Sequence, residues 1–425
     1  MSRLKKRIES HEKKKKRNVW IVGLVTTAVL AATLLPIGSV HLTSTANAAS
    51  GTSDTALSKF KDIKGHWAQA TIAKAYEKNL ISGYQDGTFR PNGKITRGEY
   101  ATILARATGL EKVEGQNSFA DLKGHWSEAA VSQLVGQGFI NAGDYAKGFN
   151  PNVELTRYEM MKWIANGLIK SGASFQDAFN DTTNTLLPTP EVNRGTIRAE
   201  QIPYLALVRG TGIVGGFQDG TLKPADSTTR AEVSAILLRY MDVEGTDAGK
   251  YSDLNEMREV GTTGTNLTTI SNYFYTKNSV KVSDISKEKI NLSNNSGVVT
   301  LHRYIVVDVT QGKEKSVYAP LFIGPETHLF KGNYMAFADI SFTSKIDKSN
   351  LITFNGGLYN GFLQFNRLDL KQASKNGLIT IPESSRDLIK KDVEKRFWVT
   401  SVLDGENGAY SFNQKSENIL KIQNM

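Results

Sequence analysis

Residues 60–67 read Phe60-Lys-Asp62-Ile-Lys-Gly-His66-Trp67, followed by Gly83-Tyr84-Gln-Asp86-Gly87-Thr-Phe89-Arg-Pro91-Asn92 and then Thr96-Arg97-Gly98-Glu99. The same phrases return as Phe119-Ala-Asp121-Leu-Lys-Gly-His125-Trp126, Gly148-Phe149-Asn-Pro151-Asn152 and Thr156-Arg157-Tyr158-Glu159. A third set runs Phe179-Asn-Asp181, Gly216-Phe217-Gln-Asp219-Gly220-Thr-Leu222-Lys-Pro224 and Thr229-Arg230-Ala231-Glu232. A period of about 60 residues implies repeated supersecondary units that share surfaces, an arrangement typical of binding arrays.

Within the first copy, Ile72, Ala73, Tyr76 and Leu80 fall at helical spacing between Ala68 and Asn79. A Gly/Pro/Asp loop over 83–92 follows, and Thr96-x-x-Glu99 forms a capping box ahead of apolar Ile103 and Leu104. Each repeat is thus expected to be helix, loop, helix. The copies are unequal. The second replaces Asp-Gly-Thr with Ala142-Gly-Asp144-Tyr-Ala-Lys-Gly148, one residue longer. The third matches the first without a gap from Gly216 to Glu232, at an offset of 133, but aligns Asp181 with Asp62 only across about 14 extra residues. It also has Glu200 where the Trp would be.

The formal charge of +10 is concentrated at the start. Residues 1–18 hold nine Lys/Arg against Glu9 and Glu12, leaving +3 for the remainder, too little to imply a nucleic-acid face. An uncharged run from Val19 to Val40 and Ala46-Asn47-Ala48 complete the pattern of a secretory signal peptide over 1–48. The alternative is an uncleaved membrane anchor. Cysteine is absent, which suits export without oxidative folding. No second apolar span follows, so attachment to a cell is expected to come from a folded domain. Residues 49–57 read as a linker, and Gly245–Gly249 as another.

Beyond residue 250 the texture changes. Val298–Asp308, Ser316–Gly324 and Phe397–Val402 are β-branched and aromatic and read as strands, with a helix expected near Ser384–Lys395. Residues 250–425 are therefore expected to form one β-rich or α+β domain. Asp308, Asp339 and Asp369 are scattered, and neither the spacing of a metal site nor that of a nucleophile motif is present.

The ordered recurrence Phe-x-Asp…His-Trp…Gly-Tyr-x-Asp-Gly-Thr-Phe-x-Pro-Asn…Ile-Thr-Arg-x-Glu resembles the S-layer homology (SLH) domain, which is usually present in three consecutive copies. On that resemblance the repeats would occupy 58–112, 117–172 and 177–242, the last with an insertion. It implies an all-α, pseudo-threefold helical bundle with Gly/Pro loops. Its grooves would hold secondary cell-wall polysaccharide, often bearing a ketal-pyruvylated amino sugar. The implied setting is a secreted protein of the cell wall or S-layer, with other S-layer proteins as further partners and no cofactor, metal or nucleic acid.

In that frame Arg97, Arg157 and Arg230 suit a sugar carboxylate, because the guanidinium is planar and permanently charged. Trp67 and Trp126 offer stacking faces, or alternatively core. Asp62, Asp121 and Asp181 are candidate hydroxyl acceptors or helix caps. Gly83, Gly87, Gly216 and Gly220 would admit close backbone approach. Glu99, Glu159 and Glu232 read as capping carboxylates rather than ligands, and His66 and His125 as structural. The completeness of the first repeat leads to the expectation that Arg97 matters more than Arg157, and that one or two grooves are competent. An anchored, non-enzymatic surface protein is the leading reading; a wall-anchored hydrolase with residues 250–425 as its catalytic module is the alternative.

Overall fold

The computed structural model describes residues 59–113, 119–347, 351–358, 361–385, 388–412 and 419–424. The expected leader and the linker at 49–57 lie outside the described residues. Among those described, no helix is long and apolar enough to cross a membrane.

The N-terminal region is helical. The first repeat contributes α1 (Gln69–Glu77) and α2 (Arg97–Ala107), the second α3 (Glu128–Gly136) and α4 (Arg157–Ser171). After α5 (Ala173–Asp181), the third contributes α6 (Ile202–Gly210) and α7 (Arg230–Val243). The second helix of every repeat starts at a complete capping box, on Thr96, Thr156 and Thr229, so the expected role of the three Glu residues as caps holds.

Just before each cap the backbone closes a ring. Ile95 N–H donates to Thr228 O at 3.1 Å, Thr228 N–H to Leu155 O at 3.2 Å, and Leu155 N–H to Ile95 O at 2.9 Å. Arg97, Arg157 and Arg230 continue the pattern with their own amides, which donate to Val153, Asp226 and Gly93 carbonyls. The helices follow suit, with α2 packed on α3, α4 on α6 and α7 on α1. Each repeat therefore lends its second helix to its neighbour's first.

The C-terminal region is built on antiparallel sheets. A four-stranded sheet runs in the order β2 (Ile290–Asn291), β3 (Gly297–Asp308), β4 (Asn333–Ser344), β5 (Glu394–Asp404). A smaller sheet orders β1 (Tyr273–Tyr275), β7 (Leu420–Asn424) and β6 (Ala409–Phe412). The expected strands at Val298–Asp308 and Phe397–Val402 are present. Ser316–Gly324 is not a strand: it coils into a short helix, Ala319–Phe322, with Pro320 in its first turn. A buried apolar run has the same composition in either conformation, and Pro in a first helical turn selects the helix. Of the helix expected near Ser384–Lys395, the described residues show a single turn, with the Leu388 and Ile389 amides donating to Ser385 O, before the chain enters β5.

Both faces of the large sheet contribute apolar residues to a core. One face, with Tyr304, Val306, Ala336, Ala338, Ile340 and Val399, encloses a core of the C-terminal region alone. The opposite face, with Ile305, Val307, Met335, Phe337 and Trp398, joins the core of the repeats through Tyr318, Phe322 and the insertion residues Leu186 and Leu187. Phe322 stacks on Phe337 at 4.4 Å, burial worth about 1.5–3 kcal/mol for one such ring.

α8 (Ser252–Thr263) seals the junction. Buried Glu256 accepts from Ser316 Oγ at 2.6 Å, Asn266 Nδ2 at 2.9 Å and Val317 N at 3.2 Å. The expected linker at 245–249 is packed instead, with Ala248 buried and its amide donating to Ser174 Oγ. A Cβ at Gly261 would fall 1.9 Å from the Asp181 carbonyl, so α8 sits on α5 without room for a side chain. Gly261→Ala is expected to lower the urea unfolding free energy by about 1–3 kcal/mol, the usual cost of overpacking.

Candidate functional site

The three arginines reach across repeat boundaries. Arg97 pairs with Glu159 of the second repeat at 2.8 Å and donates to Phe149 O at 2.9 Å. Arg157, 4% exposed, pairs with Glu232 of the third at 3.1 Å and donates to Leu222 O at 2.9 Å. Arg230, 7% exposed, returns to the first, donating to Phe89 O and Ser82 O at 2.9 Å, with Glu99 at 3.5 Å. Each guanidinium also lies over an aromatic ring of the recipient loop: Tyr145, Phe217 and Tyr84 respectively. Burial lowers the Arg157 pKa from its ordinary value, and Glu232 opposes that.

The arginines are thus engaged inside the fold, with Glu and carbonyl partners rather than with the Phe-x-Asp carboxylates. Their recipient loops had no sequence signal beyond the repeat itself, because each partner lies in the next repeat.

Asp62 and Asp121 clamp the central loops. Asp62 accepts from Phe89 N at 2.8 Å and Arg90 N at 2.7 Å; Asp121 accepts from Phe149 N at 3.1 Å and Asn150 N at 2.6 Å. The clamp holds Arg90 and Asn150 at φ 55° and 52°, a left-handed conformation that non-glycine residues adopt at a cost. Asp181 does not take this position. It lies at the end of α5 and pairs with Arg258 of α8 at 2.9 Å. Its counterpart is Glu191, which accepts from Leu222 N at 2.8 Å and Lys223 N at 2.7 Å, with Lys223 at φ 49°. The longer carboxylate and the insertion together hid this residue from motif alignment.

Of the glycines, Gly83 faces inward: a Cβ there would meet the Phe60 ring at 2.3 Å. Gly87 and Gly220 take φ of 74° and 84° in turns where Asp86 and Asp219 accept from Thr88 and Thr221. The hydrogen bonds from Thr88 hold the Asp86 pKa down at about 2.

Trp67 and Trp126 project outward, 57% and 61% exposed. Trp126 borders a groove of about 220 Å³ together with Tyr84, Glu99, Arg106 and Arg230. The groove thus takes its loop and Arg106 from repeat one, its Trp from repeat two and Arg230 from repeat three. At the corresponding positions around repeat three stand Phe217, Glu232, Arg239 and Arg157, and Trp67 precedes the helix packed against α7. Around repeat two the set is incomplete. Glu200 replaces the Trp and Asn166 the Arg, while Lys162, which corresponds to Thr102, crosses to Asp144 at 2.5 Å and lies over Tyr204. Arg106 and Arg239, which donate to the Leu80 and Ile213 carbonyls, were not singled out by their sequence setting.

A family model for the S-layer homology domain matches residues 59–101, 118–161 and 199–234. The chain carries three S-layer homology domains. It is 36% identical over 115 residues to a cellulosome-anchoring protein of Acetivibrio thermocellus, covering 26% of each chain. Over 154 residues it is 29% identical to an uncharacterised cell wall amidase of Bacillus anthracis, covering 35% of this chain and 28% of the relative. The S-layer protein sap of Bacillus anthracis is 25% identical over 233 residues, 54% of this chain and 25% of that one. This chain therefore spans under a third of the length of each of these relatives. The third SLH match begins after Asp181 and Glu191, consistent with the insertion lying ahead of the domain.

Glu191→Ala is expected to destabilise the chain by about 1–3 kcal/mol, since it leaves buried amides without acceptors. Asp181→Ala removes a half-exposed pair and should cost below about 1 kcal/mol; chemical denaturation of both variants separates the two roles.

Proposed function

We propose that the SLH region holds this protein, outside the membrane, on secondary cell-wall polysaccharide, and that it does so through two of three grooves in a pseudo-threefold bundle. The observation that carries the reading is the outward Trp126 beside the groove of Arg106 and Arg230, with the same residue types standing at the corresponding positions around repeat three and lost around repeat two. A sugar ring can lie on the indole face, while Arg106 or Arg239 has donors left for an anionic substituent such as a ketal carboxylate. The buried arginines act mainly by holding the loop and the groove wall in register, and Asp62 and Asp121 act by shaping the loop. Repeat two, with Lys162 already paired, serves as a structural member of the ring. Arg97 contacts repeat two, so on this reading Arg157 would matter more to binding than Arg97.

The names of the relatives fit this reading: one anchors cellulosomes and one is an S-layer protein. The amidase relative keeps a wall-anchored hydrolase in view for the C-terminal region. Asp308, Asp339 and Asp369, the scattered aspartates of that region, each have a structural contact. Asp308 binds Thr310 N and Oγ1, Asp339 takes Arg396, and Asp369 caps the short helix Leu370–Lys375 through Gln372 N. Because its core is shared with the repeats, this region is tested for wall clearing as the whole chain, not as a fragment. Clearing lost on substitution of one carboxylate would establish the hydrolase reading.

The chain from residue 49 onward is expected to sediment with purified walls and to stay in solution with walls stripped of their non-peptidoglycan polymer. Trp67→Ala and Trp126→Ala together should weaken binding about tenfold or more, while either alone leaves partial binding; neither alters the unfolding midpoint, since both rings are exposed. Retention on stripped walls would refute polysaccharide recognition.

A further inference from the structure

A second cleft lies where the insertion of the third repeat meets the large sheet. β3 changes register between Leu301 and Arg303. Before the irregularity Val299 and Leu301 point to the outer core, and after it Tyr304 and Val306 do. The extra residue turns His302 and Arg303 together onto the opposite face, beside Asp339 and Ser341 of β4 and Arg396 of β5. Irregularities of this kind commonly re-aim side chains at a site.

The charges there do not balance. Asp339, 3% exposed, receives Arg396 in a two-point fork, Nε to Oδ1 at 2.8 Å and Nη2 to Oδ2 at 2.6 Å. Arg303 reaches the same carboxylate only at 3.6 Å and the Asn184 carbonyl at 3.4 Å. A buried carboxylate needs one guanidinium, and here a second is held beside it with most of its donors uncommitted. Lys287, kept at the rim by a left-handed turn with φ 72°, adds a further positive charge. His302 Nε2 and Ser341 Oγ share a hydrogen bond at 2.9 Å, and burial together with Arg396 lowers the His302 pKa.

Two cavities of about 430 and 400 Å³ meet at Arg303 and Arg396, each within the range that accepts a small ligand. The first is walled by hydroxyls, those of Thr262, Thr263 and Ser286 among them. The second offers apolar surface from Ile379 and Trp398. We infer that this cleft binds an anionic sugar residue, with its carboxylate on Arg303, its hydroxyls on the Thr/Ser wall and its ring face toward the apolar cavity. The inference stands apart from the SLH grooves, since none of their residues lines it.

The test uses the chain from residue 49 onward with Trp67→Ala and Trp126→Ala in place, so that the proposed grooves do not contribute. Glucuronate, glucose and inorganic phosphate are titrated and followed by ligand-detected NMR. Saturable millimolar binding of glucuronate is expected, with glucose and phosphate each about tenfold weaker or worse. Arg303→Gln should lower glucuronate affinity about tenfold without moving the melting temperature, because the Arg396–Asp339 fork remains; Lys287→Ala should lower it about threefold. Unchanged affinity in both variants, equal binding of glucose or phosphate, or no saturation by glucuronate would each overturn the inference.

Discussion

The arginine that opens the second helix of each repeat makes its contacts in the next repeat, and the other features of the SLH region follow from that displacement. Arg97, Arg157 and Arg230 each join a carboxylate and a loop carbonyl on a neighbouring copy, above a ring of three backbone hydrogen bonds through Ile95, Leu155 and Thr228. In the near-buried pairs the charges exclude water from one another, and the additional carbonyl acceptors offset the desolvation that would otherwise make such pairs unfavourable. Removing one partner leaves an unpaired charge in a near-buried setting. A single repeat supplies neither a closed loop nor a whole groove.

That geometry explains why copies of unequal sequence can persist side by side. Repeat two keeps Glu159 and Tyr145 to receive Arg97, although its groove has lost the Trp and the second Arg. Repeat three exchanges a Phe-x-Asp carboxylate for Glu191 and uses the added chain to meet the sheet. There Arg194 donates to the Lys375 carbonyl at 2.6 Å and Asn193 to that of Asn376 at 3.0 Å. The insertion joins the SLH core to the C-terminal sheet through packed side chains rather than through a linker.

Much of this was legible where the signal is local. The capping boxes, the helical spacing of Ile72, Ala73 and Tyr76, and the strand at Val298–Asp308 depend on residues within a few positions of one another. The outward placement of Trp67 and Trp126 was left open by sequence, since an indole serves equally well in a core. What was not legible is non-local. Glu191 replaces an aspartate at a different spacing, the arginine partners lie a repeat away, and Ser316–Gly324 has strand composition but is wedged against Phe337 as a helix. The expected linker at 245–249 is small and polar in sequence, yet its Ala248 is buried by the neighbouring α5 turn.

The ring is tested most directly by a double-mutant cycle on Arg157→Met and Glu232→Gln, which spare the backbone ring and retain a polar cap at the start of α7. Unfolding free energies from urea titration should show a coupling of about 1–3 kcal/mol between the two sites, as expected for a near-buried pair that closes one repeat on the next. Additivity within about 0.3–0.5 kcal/mol would contradict the account, because the arginine would then contribute nothing through the carboxylate it reaches across to meet.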